Sequence, residues 1–508
     1  MLLSIARKRV IISSGMNVLL LYPEFPNTFW SFKYALKFIR KKAAFPPLGL
    51  LTVAAMLPPE WEKRLVDVNV RKLTERNLAW ADVVFLSAMI AQRASAQELI
   101  ARCRAAGKRI VAGGPLFTSE HSQFPDVDHF VLNEAELTLP PFLRDLAAGA
   151  AKPLYTTAEF PDMRTAPVPL WHLADLRRYA SMSVQYSRGC PFDCEFCDVT
   201  AKFGHVPRTK SPAQVIAELD ALCAHGWTGQ VFFVDDNFIG NKRTLRTELL
   251  PRLIEWQKAH GHRLTFYTEA SINLADDEQL LRQLVAAGFD TVFIGIETPD
   301  AAGLVECNKR QNQQRDLVAD VKRIQRAGLQ VQGGFIVGFD SDNATIFRRQ
   351  LEFIQKSGIV TAMVGLLNAL PDTKLYARLK SEGRLVGQSS GNNVDGTTNF
   401  VPRMNVDELR AGYRRLMENI YAPRPYYRRV RTFLREFKQP RFSVTMSPRL
   451  WMAFAHSTVR LGIIGRERIE YWRLLAWTCV RRPGSFQVAV TLAIYGHHFR
   501  KCCAALAA

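Results

Sequence analysis

A chain of 508 residues is too long for one ordinary domain, so roughly two to four are expected, and its 48% apolar content excludes a disordered protein. Nine cysteines do not read as a secreted disulfide framework, because three of them crowd into eight residues, which points to metal ligation in a reducing compartment. The formal net charge of +20 is uneven: from residue 401 onward, 20 Lys and Arg face 6 Asp and Glu.

Residues 1–15 form a basic amino-terminal extension with a short apolar run. It reads either as a leader or as residues ahead of a true start at Met16, since MNVLLLYPEFP has the pattern of a first buried strand. Residues 16–150 alternate apolar runs (18–22, 65–70, 83–87, 110–112, 129–132) with amphipathic stretches such as 95–106. That alternation predicts parallel strands joined by crossover helices, an α/β doubly wound, Rossmann-like sheet. Ligands of such sheets sit beyond the carboxyl ends of the strands. The residues there are Tyr22-Pro23-Glu24, Ser87-Ala88-Met89, Gly113-Gly114-Pro115 and Asn133-Glu134. A Gly-Gly-Pro turn lets backbone approach a bulky ligand, although a tight turn without a ligand has the same composition.

Residues 151–180 (FPDMRTAPVPLW within them) are proline-rich and aperiodic, hence a linker. Residues 181–385 resume the alternation with a longer period. Strands are expected at 182–186, 231–234, 264–267, 291–296, 331–337 and 362–367, with helices at 212–224, 242–258, 277–287, 315–327 and 343–357. Six β/α units make a partial TIM-type barrel with its active site at the carboxyl ends of the strands. Residues 386–508 read as a helical, basic region where cations alternate with aromatics, as in Tyr426-Tyr427-Arg428-Arg429 and Tyr471-Trp472-Arg473. A solvated helical face, a membrane-surface patch and a nucleic-acid patch all fit that composition, nucleic acid being the least expected. The longest apolar stretch, around 488–495, is too short to cross a bilayer, so a cytoplasmic protein, soluble or peripheral at the inner membrane face, is expected.

The chemistry concentrates after the first barrel strand, in YSRGCPFDCEFCD. Cys190, Cys194 and Cys197 stand in a C-x3-C-x2-C arrangement. Three thiolates on one short loop can bind three irons of a [4Fe–4S] cubane and leave the fourth iron open. Zinc is the rival reading, but structural zinc normally takes four protein ligands, and no second C-x2-C pair occurs in the chain.

This loop resembles that of the radical S-adenosylmethionine superfamily, whose hallmark is the same spacing at the same barrel position. The resemblance implies that S-adenosylmethionine docks on the open iron and is reductively cleaved to a 5′-deoxyadenosyl radical, with electrons from a flavodoxin- or ferredoxin-type donor. It further implies that Phe196 touches the adenine and that Asp235, Asp236 or Asn237 meets the methionine ammonium. These carboxylates stand in place of the family's commoner Gly-Gly-Glu. Glu269 and Ser271 after the third strand, Glu297 and Thr298 after the fourth, and Gly334, Ile336 and Gly338 on the fifth are the remaining positions matching cosubstrate contacts.

A doubly wound domain ahead of such a barrel resembles the cobalamin-binding branch. If cobalamin binds, the resemblance places its lower face at Ser87, Met89 and Gln92 and its tail near Gly113, Gly114, Pro115 and Glu134. The chain departs from the Asp-x-His-x-x-Gly pattern of cobalamin proteins with a displaced lower ligand: no histidine precedes His121. SRGCPFDCEFCDVTAKFG, FFVDDNFIGNK, FIGIETPD and NALPDTKLY are similar to the branch that includes the bacterial hopanoid C-2 methylase and related lipid-modifying enzymes. FWSFKYALKFIRKKAAFPPLGLL departs from the hopanoid enzyme itself, so the resemblance does not carry the substrate's identity over. The resemblance implies cobalamin-dependent methylation of an unactivated carbon of a lipid-like substrate. Radical cyclisation or carbon–carbon bond formation, and a non-catalytic cobalamin or cluster sensor, are the alternatives.

Overall fold

The computed structural model describes residues 15–392, 394–438 and 448–506, so the reading of residues 1–14 lies outside it. The chain divides into two units: residues up to Pro26 with Pro46–Asp175, and Asn27–Phe45 with Leu176 onward.

In the first unit six parallel strands form one sheet: β1 Asn17–Tyr22, β2 Glu62–Asp67, β3 Val83–Ser87, β4 Arg109–Gly113, β5 His129–Val131 and β6 Leu154–Tyr155, in the order β2-β1-β3-β4-β5-β6. β1 and β3 are nearly continuous apolar runs because both faces of a parallel sheet are covered. Leu19, Leu21, Val84, Leu86, Ile110 and Ala112 pack under helix Arg93–Ala105 and the turn of helix at Leu116 and Phe117. The proline-rich stretch adds β6 as an edge strand, then three 3-10 turns.

The second unit holds β7 Met182–Val184, a short antiparallel pair of β8 Ser187–Arg188 and β9 Arg208–Thr209, then β10 Gln230–Phe233, β11 Thr265–Ala270, β12 Phe289–Glu297, β13 Gln330–Val337 and β14 Ala362–Leu366. The large sheet is all parallel, β14-β13-β12-β11-β10-β7, an open six-stranded barrel wall. Its helices lie at Pro212–Ala224, Leu250–Ala259, Glu278–Ala286, Leu317–Ala327 and Ile346–Ser357. Alternation along the strands buries one set of side chains under these helices (Val231, Phe233, Phe266, Ile294, Val331 and Val364, each at most 1% exposed) and turns the other set inward.

The carboxyl-terminal region carries helices Val406–Tyr421, Pro423–Glu436, Arg468–Arg481 and Phe486–Leu506. One expectation changes here. Tyr426, Tyr427 and Arg429 are not part of a basic surface: all three are fully buried. The Arg429 guanidinium donates to the carbonyls of Ile420 (2.9 Å) and Val360 (3.3 Å) and lies over the Tyr426 ring. An arginine on a helix whose other face is wet reads as solvent-exposed until a partner helix covers it. Trp472, in contrast, is 47% exposed.

Candidate active site at the carboxyl ends of the barrel strands

The cysteine loop is tied down before any ligand is considered. Gly189 has φ +98, and a Cβ there would press on the carbonyls of residues 203, 204 and 206. Cys190 N donates to Gly204 O (3.2 Å), Glu195 N to Cys307 O (3.0 Å) and Asn308 Nδ2 to Asp193 O (2.8 Å). Arg378 grips Glu195 with two bonds (2.6 and 3.1 Å) and also reaches Asp340. The loop is therefore held by the turn after helix Ala301–Glu306 and by helix Lys374–Ser381.

The three thiols are half-buried. Burial raises each above the ordinary thiol range, Cys197 to about 12, and the Lys309 ammonium opposes this at all three. Asn237 Nδ2 approaches Cys190 Sγ at 3.9 Å and Gln311 Nε2 approaches Cys194 Sγ at 3.8 Å. Soft donors in a dry, amide-lined setting suit iron–sulfur ligation, where such bonds tune the cluster. Among the described residues no three His, Cys, Asp or Glu side chains are gathered tightly enough for a single metal ion. A cubane asks only that each thiolate reach its own iron. Cys307 lies nearby, but its thiol points to Leu304 O (3.8 Å) inside an apolar cluster with Phe339, Leu367 and Leu375. Phe196 and Ile336 pack together against that same cluster.

The strand-end carboxylates divide into two kinds. Asp235 accepts from Tyr186 N (3.1 Å), Ser187 Oγ (2.6 Å) and Ser187 N, so its oxygens clamp β7 to β10. Asp236 has a buried Oδ2 with no hydrogen-bond partner among the described residues. Burial pushes Asp236 up to about 6, and burial with Asp236 and Asp235 pushes Glu269 up to about 8. Three acids crowded in low dielectric, one with an unpaired oxygen, make a pocket that favours a cation, as the ammonium and sulfonium of S-adenosylmethionine are. Asn237 joins this pocket to the thiol loop, because its Oδ1 also accepts from Ser271 N (3.3 Å).

At β12, Glu297 adopts φ +62 and receives Lys309 Nζ at 2.7 Å. A Cβ on Gly295 would collide with this pair, so the glycine makes room for it. Thr298 is fully buried and its Oγ1 accepts from Asp300 N (3.2 Å). A Cβ on Gly334 would meet the Phe293 ring at 2.7 Å, and Gly338 N donates to Asp342 Oδ2 at 2.8 Å. Lys309 and Gln311 escaped the sequence reading; the polar run NKRQNQQ directly after Cys307 was their signal. A cavity of about 420 Å³ opens beside the loop, lined among others by Phe192, Val206, Asn237, Lys242 and Ser271.

In the first unit, the residues singled out from the sequence gather at the carboxyl edge of the sheet. Gln92 is buried and binds Met89 N (2.8 Å) and Pro23 O (2.6 Å), linking the loops after β3 and β1. Gly114 has φ +90, and a Cβ there would strike Ser87 Oγ. Pro115 starts the short helix Pro115–Glu120, with Leu116 N bonded to Ala88 O (3.0 Å). Met89 is 45% exposed, while Glu134 is buried at the start of helix Ala135–Ala147. Apart from the buried Glu134, backbone and neutral side chains bared by glycine form this edge, which fits a bulky, flat cofactor such as cobalamin.

Comparisons with known proteins identify the family. A B12 binding domain model matches residues 40–143, a Radical SAM superfamily model residues 184–378, and a domain of unknown function residues 373–508. An uncharacterized methyltransferase of Synechocystis is 42% identical over 95% of this chain and 91% of its own length. The hopanoid C-2 methylase of Rhodopseudomonas palustris is 33% identical over 96% and 93%. The cobalamin-dependent radical enzyme OxsB shares the fold at a TM-score of 0.61 and 16% identity, over 97% of this chain and 80% of OxsB. The methyltransferase TsrM of Kitasatospora setae shares it at 0.56 and 16%, over 74% and 78%. The chain therefore belongs to the cobalamin-binding branch of the radical S-adenosylmethionine enzymes, a methyltransferase family whose cofactors are a [4Fe–4S] cluster, S-adenosylmethionine and cobalamin.

Proposed function

We propose that this enzyme methylates an unactivated carbon of a neutral, lipid-like substrate at the inner face of the membrane. The observation that carries the chemistry is the thiol loop facing a cation-favouring group of acids. Cys190, Cys194 and Cys197 would hold the cluster, with Phe196 and Ile336 beside the adenine. Asp236 and Glu269 would take the methionine ammonium, and Asp235 keeps β7 and β10 in register around them. Ser271, Glu297, Thr298, Gly334 and Gly338 complete the cosubstrate's surroundings; Ser87, Met89, Gln92, Gly113, Gly114, Pro115 and Glu134 form the cobalamin edge. When bound, these groups supply reductive cleavage of a sulfonium and a transferable methyl group, chemistry that no side chain of the chain provides. The protein orients them and keeps the acids dry.

Two findings support the lipid reading. One is the hopanoid C-2 methylase relative. The other is a cluster of exposed apolar side chains in the carboxyl-terminal region, Trp451, Val459, Ile463, Ile464, Ile469 and Trp472, interleaved with Arg460, Arg466, Arg468 and Arg473. Apolar anchors beside cations suit an anionic membrane surface. No helix among the described residues is long and apolar enough to span a bilayer. A flavodoxin- or ferredoxin-type donor completes the cycle.

The test is anaerobic reconstitution with iron, sulfide, hydroxocobalamin and a reductant, followed by assay of 5′-deoxyadenosine and of methyl transfer from labelled methionine into a bacterial lipid extract. The variant with all three loop cysteines changed to alanine is the control. Deoxyadenosine with an unlabelled, rearranged lipid would replace methylation by cyclisation or bond formation. Absence of deoxyadenosine from the loaded wild type would leave only the sensor reading.

A further inference from the structure

The segment Asn27–Phe45 leaves the first unit and packs with the barrel, although its sequence lies between two strands of the first sheet. It runs along an edge of the barrel wall. Lys42 N donates to Arg178 O (2.8 Å), Ala180 N to Ala43 O (3.0 Å) and Ser181 N to Ala44 O (2.9 Å), so the strap lies beside the lead-in to β7. Near its other end Trp30 Nε1 reaches Met363 Sδ on β14 at 2.9 Å. β7 and β14 are the two edges of the sheet that no ladder joins. The strap thus spans the seam.

Two of its aromatic side chains, Trp30 and Phe45, point inward. Phe293 is in register with Glu269, and Met363 with Gly334, so both belong to the inner face of the wall. Trp30 stands edge-on to Phe293 at 5.4 Å. Phe45 leans on Phe232 and Tyr267, which are stacked on each other at 4.6 Å. A register shift after Phe266 leaves Asp290 unmatched between Phe289 and Thr291, and its carboxylate accepts from the inward-facing Gln230 (3.3 Å). Phe32 on the strap packs against Tyr495 at 5.0 Å, so helix Phe486–Leu506 lies along the strap. The same helix pins the strap: Phe499 stacks on Phe29 at 4.1 Å and His498 Nε2 donates to Phe29 O at 2.9 Å.

Trp30, Phe45, Phe232, Tyr267, Phe293 and Met363 are only half-buried, whereas their neighbours on the outer face are fully covered. Large apolar side chains that face the inside of a unit and still keep accessible surface border unfilled space. We infer that Trp30 and Phe45 of the strap are specificity-determining residues, shaping the barrel's lumen for a neutral, ring-bearing hydrocarbon group of the substrate. Flat aromatic faces and a thioether match such a group by contact alone. Asp290 at one end and Glu269 at the other disfavour an anionic one. The inference rests on the lipid reading for the identity of the occupant and deepens it by assigning where the apolar part lies.

The test does not need turnover. The full-length, anaerobically loaded enzyme is irradiated with a diazirine-bearing sterol, and the labelled peptides are mapped by mass spectrometry. Label is expected on the strap or on β12 and β14, falling about tenfold in Trp30→Ala, a factor ordinary for a lost aromatic contact, and retained in Trp30→Phe. Val386→Ala, at an exposed position outside both the strap and the tail's apolar cluster, leaves it unchanged. Label confined to residues 448–482, or insensitive to Trp30→Ala, overturns the proposal. Should Trp30→Ala fail to fold, Phe45→Leu tests the opposite wall with the same outcomes. A wild type that takes up the label in the strap yet forms no 5′-deoxyadenosine sinks the catalytic reading and leaves this one standing.

Discussion

Both units place their functional residues at the carboxyl ends of parallel strands, yet the two edges are built from opposite materials. In the first sheet, Ser87, Gly113, Gly114 and Pro115 strip the edge to backbone and small neutral groups. In the second, three thiols, three acids and the Lys309–Glu297 pair crowd the strand ends, and burial pushes the thiols and the three acids above their ordinary ranges. The contrast shows how one topology can suit two kinds of ligand. A large, flat cofactor is met by shape, which glycine supplies. A charged cosubstrate on an open metal is met by electrostatics, which requires charges held in a dry place against their preference.

Four changes would break or sharpen that contrast. The largest effect is expected from Cys194→Ala: iron content and the visible cluster band should vanish and 5′-deoxyadenosine fall to background, while hydroxocobalamin binding to the first unit is retained. Lys309→Met follows. It leaves the buried Glu297 carboxylate without its partner, so unfolding should cost about 3 kcal/mol less, as for other broken buried pairs, read by urea denaturation. Next, Gly114→Val forces a branched side chain into φ +90 and onto Ser87 Oγ. Strain of about 2 kcal/mol should weaken hydroxocobalamin binding in equilibrium dialysis without lowering iron content.

The smallest effect concerns pH. Glu269 is pushed up to about 8 in the folded, cluster-free chain. Between its unfolded value near 4.3 and that point the folded state holds a proton that the unfolded state has lost, so stability falls as pH rises through this window. Glu269→Gln should flatten that slope, measured as the thermal midpoint against pH; an unchanged slope would remove Glu269 from the coupled group of acids.

Much of this architecture was legible. Strands β3 and β13 and helix Pro212–Ala224 announce themselves by short apolar runs and by apolar spacing, and Ser211-Pro212-Ala213-Gln214 carries the capping box that starts the helix. The thiol loop and the acids after β10 and β11 were visible for the same reason: their chemistry is local in sequence. Arg429 was misread because a buried arginine satisfied by two backbone carbonyls is indistinguishable, residue by residue, from a solvated one. Asp235 and Asp236 are adjacent in the chain, yet one clamps the backbone of β7 and the other keeps an unpaired oxygen, a difference made entirely by which residues fold over them.

By itself, then, the order of residues determined the two parallel sheets, the cysteine loop and the acid-bearing strand ends, because each depends on periodicity or spacing over a few positions. Tertiary structure alone decided that Lys309 stands between Glu297 and the thiols, that Trp30 reaches β14, and that residues 27–45 serve the barrel rather than the sheet they interrupt. Such pairings join positions up to several hundred residues apart, and a contact between distant residues leaves no mark on the local pattern of either partner.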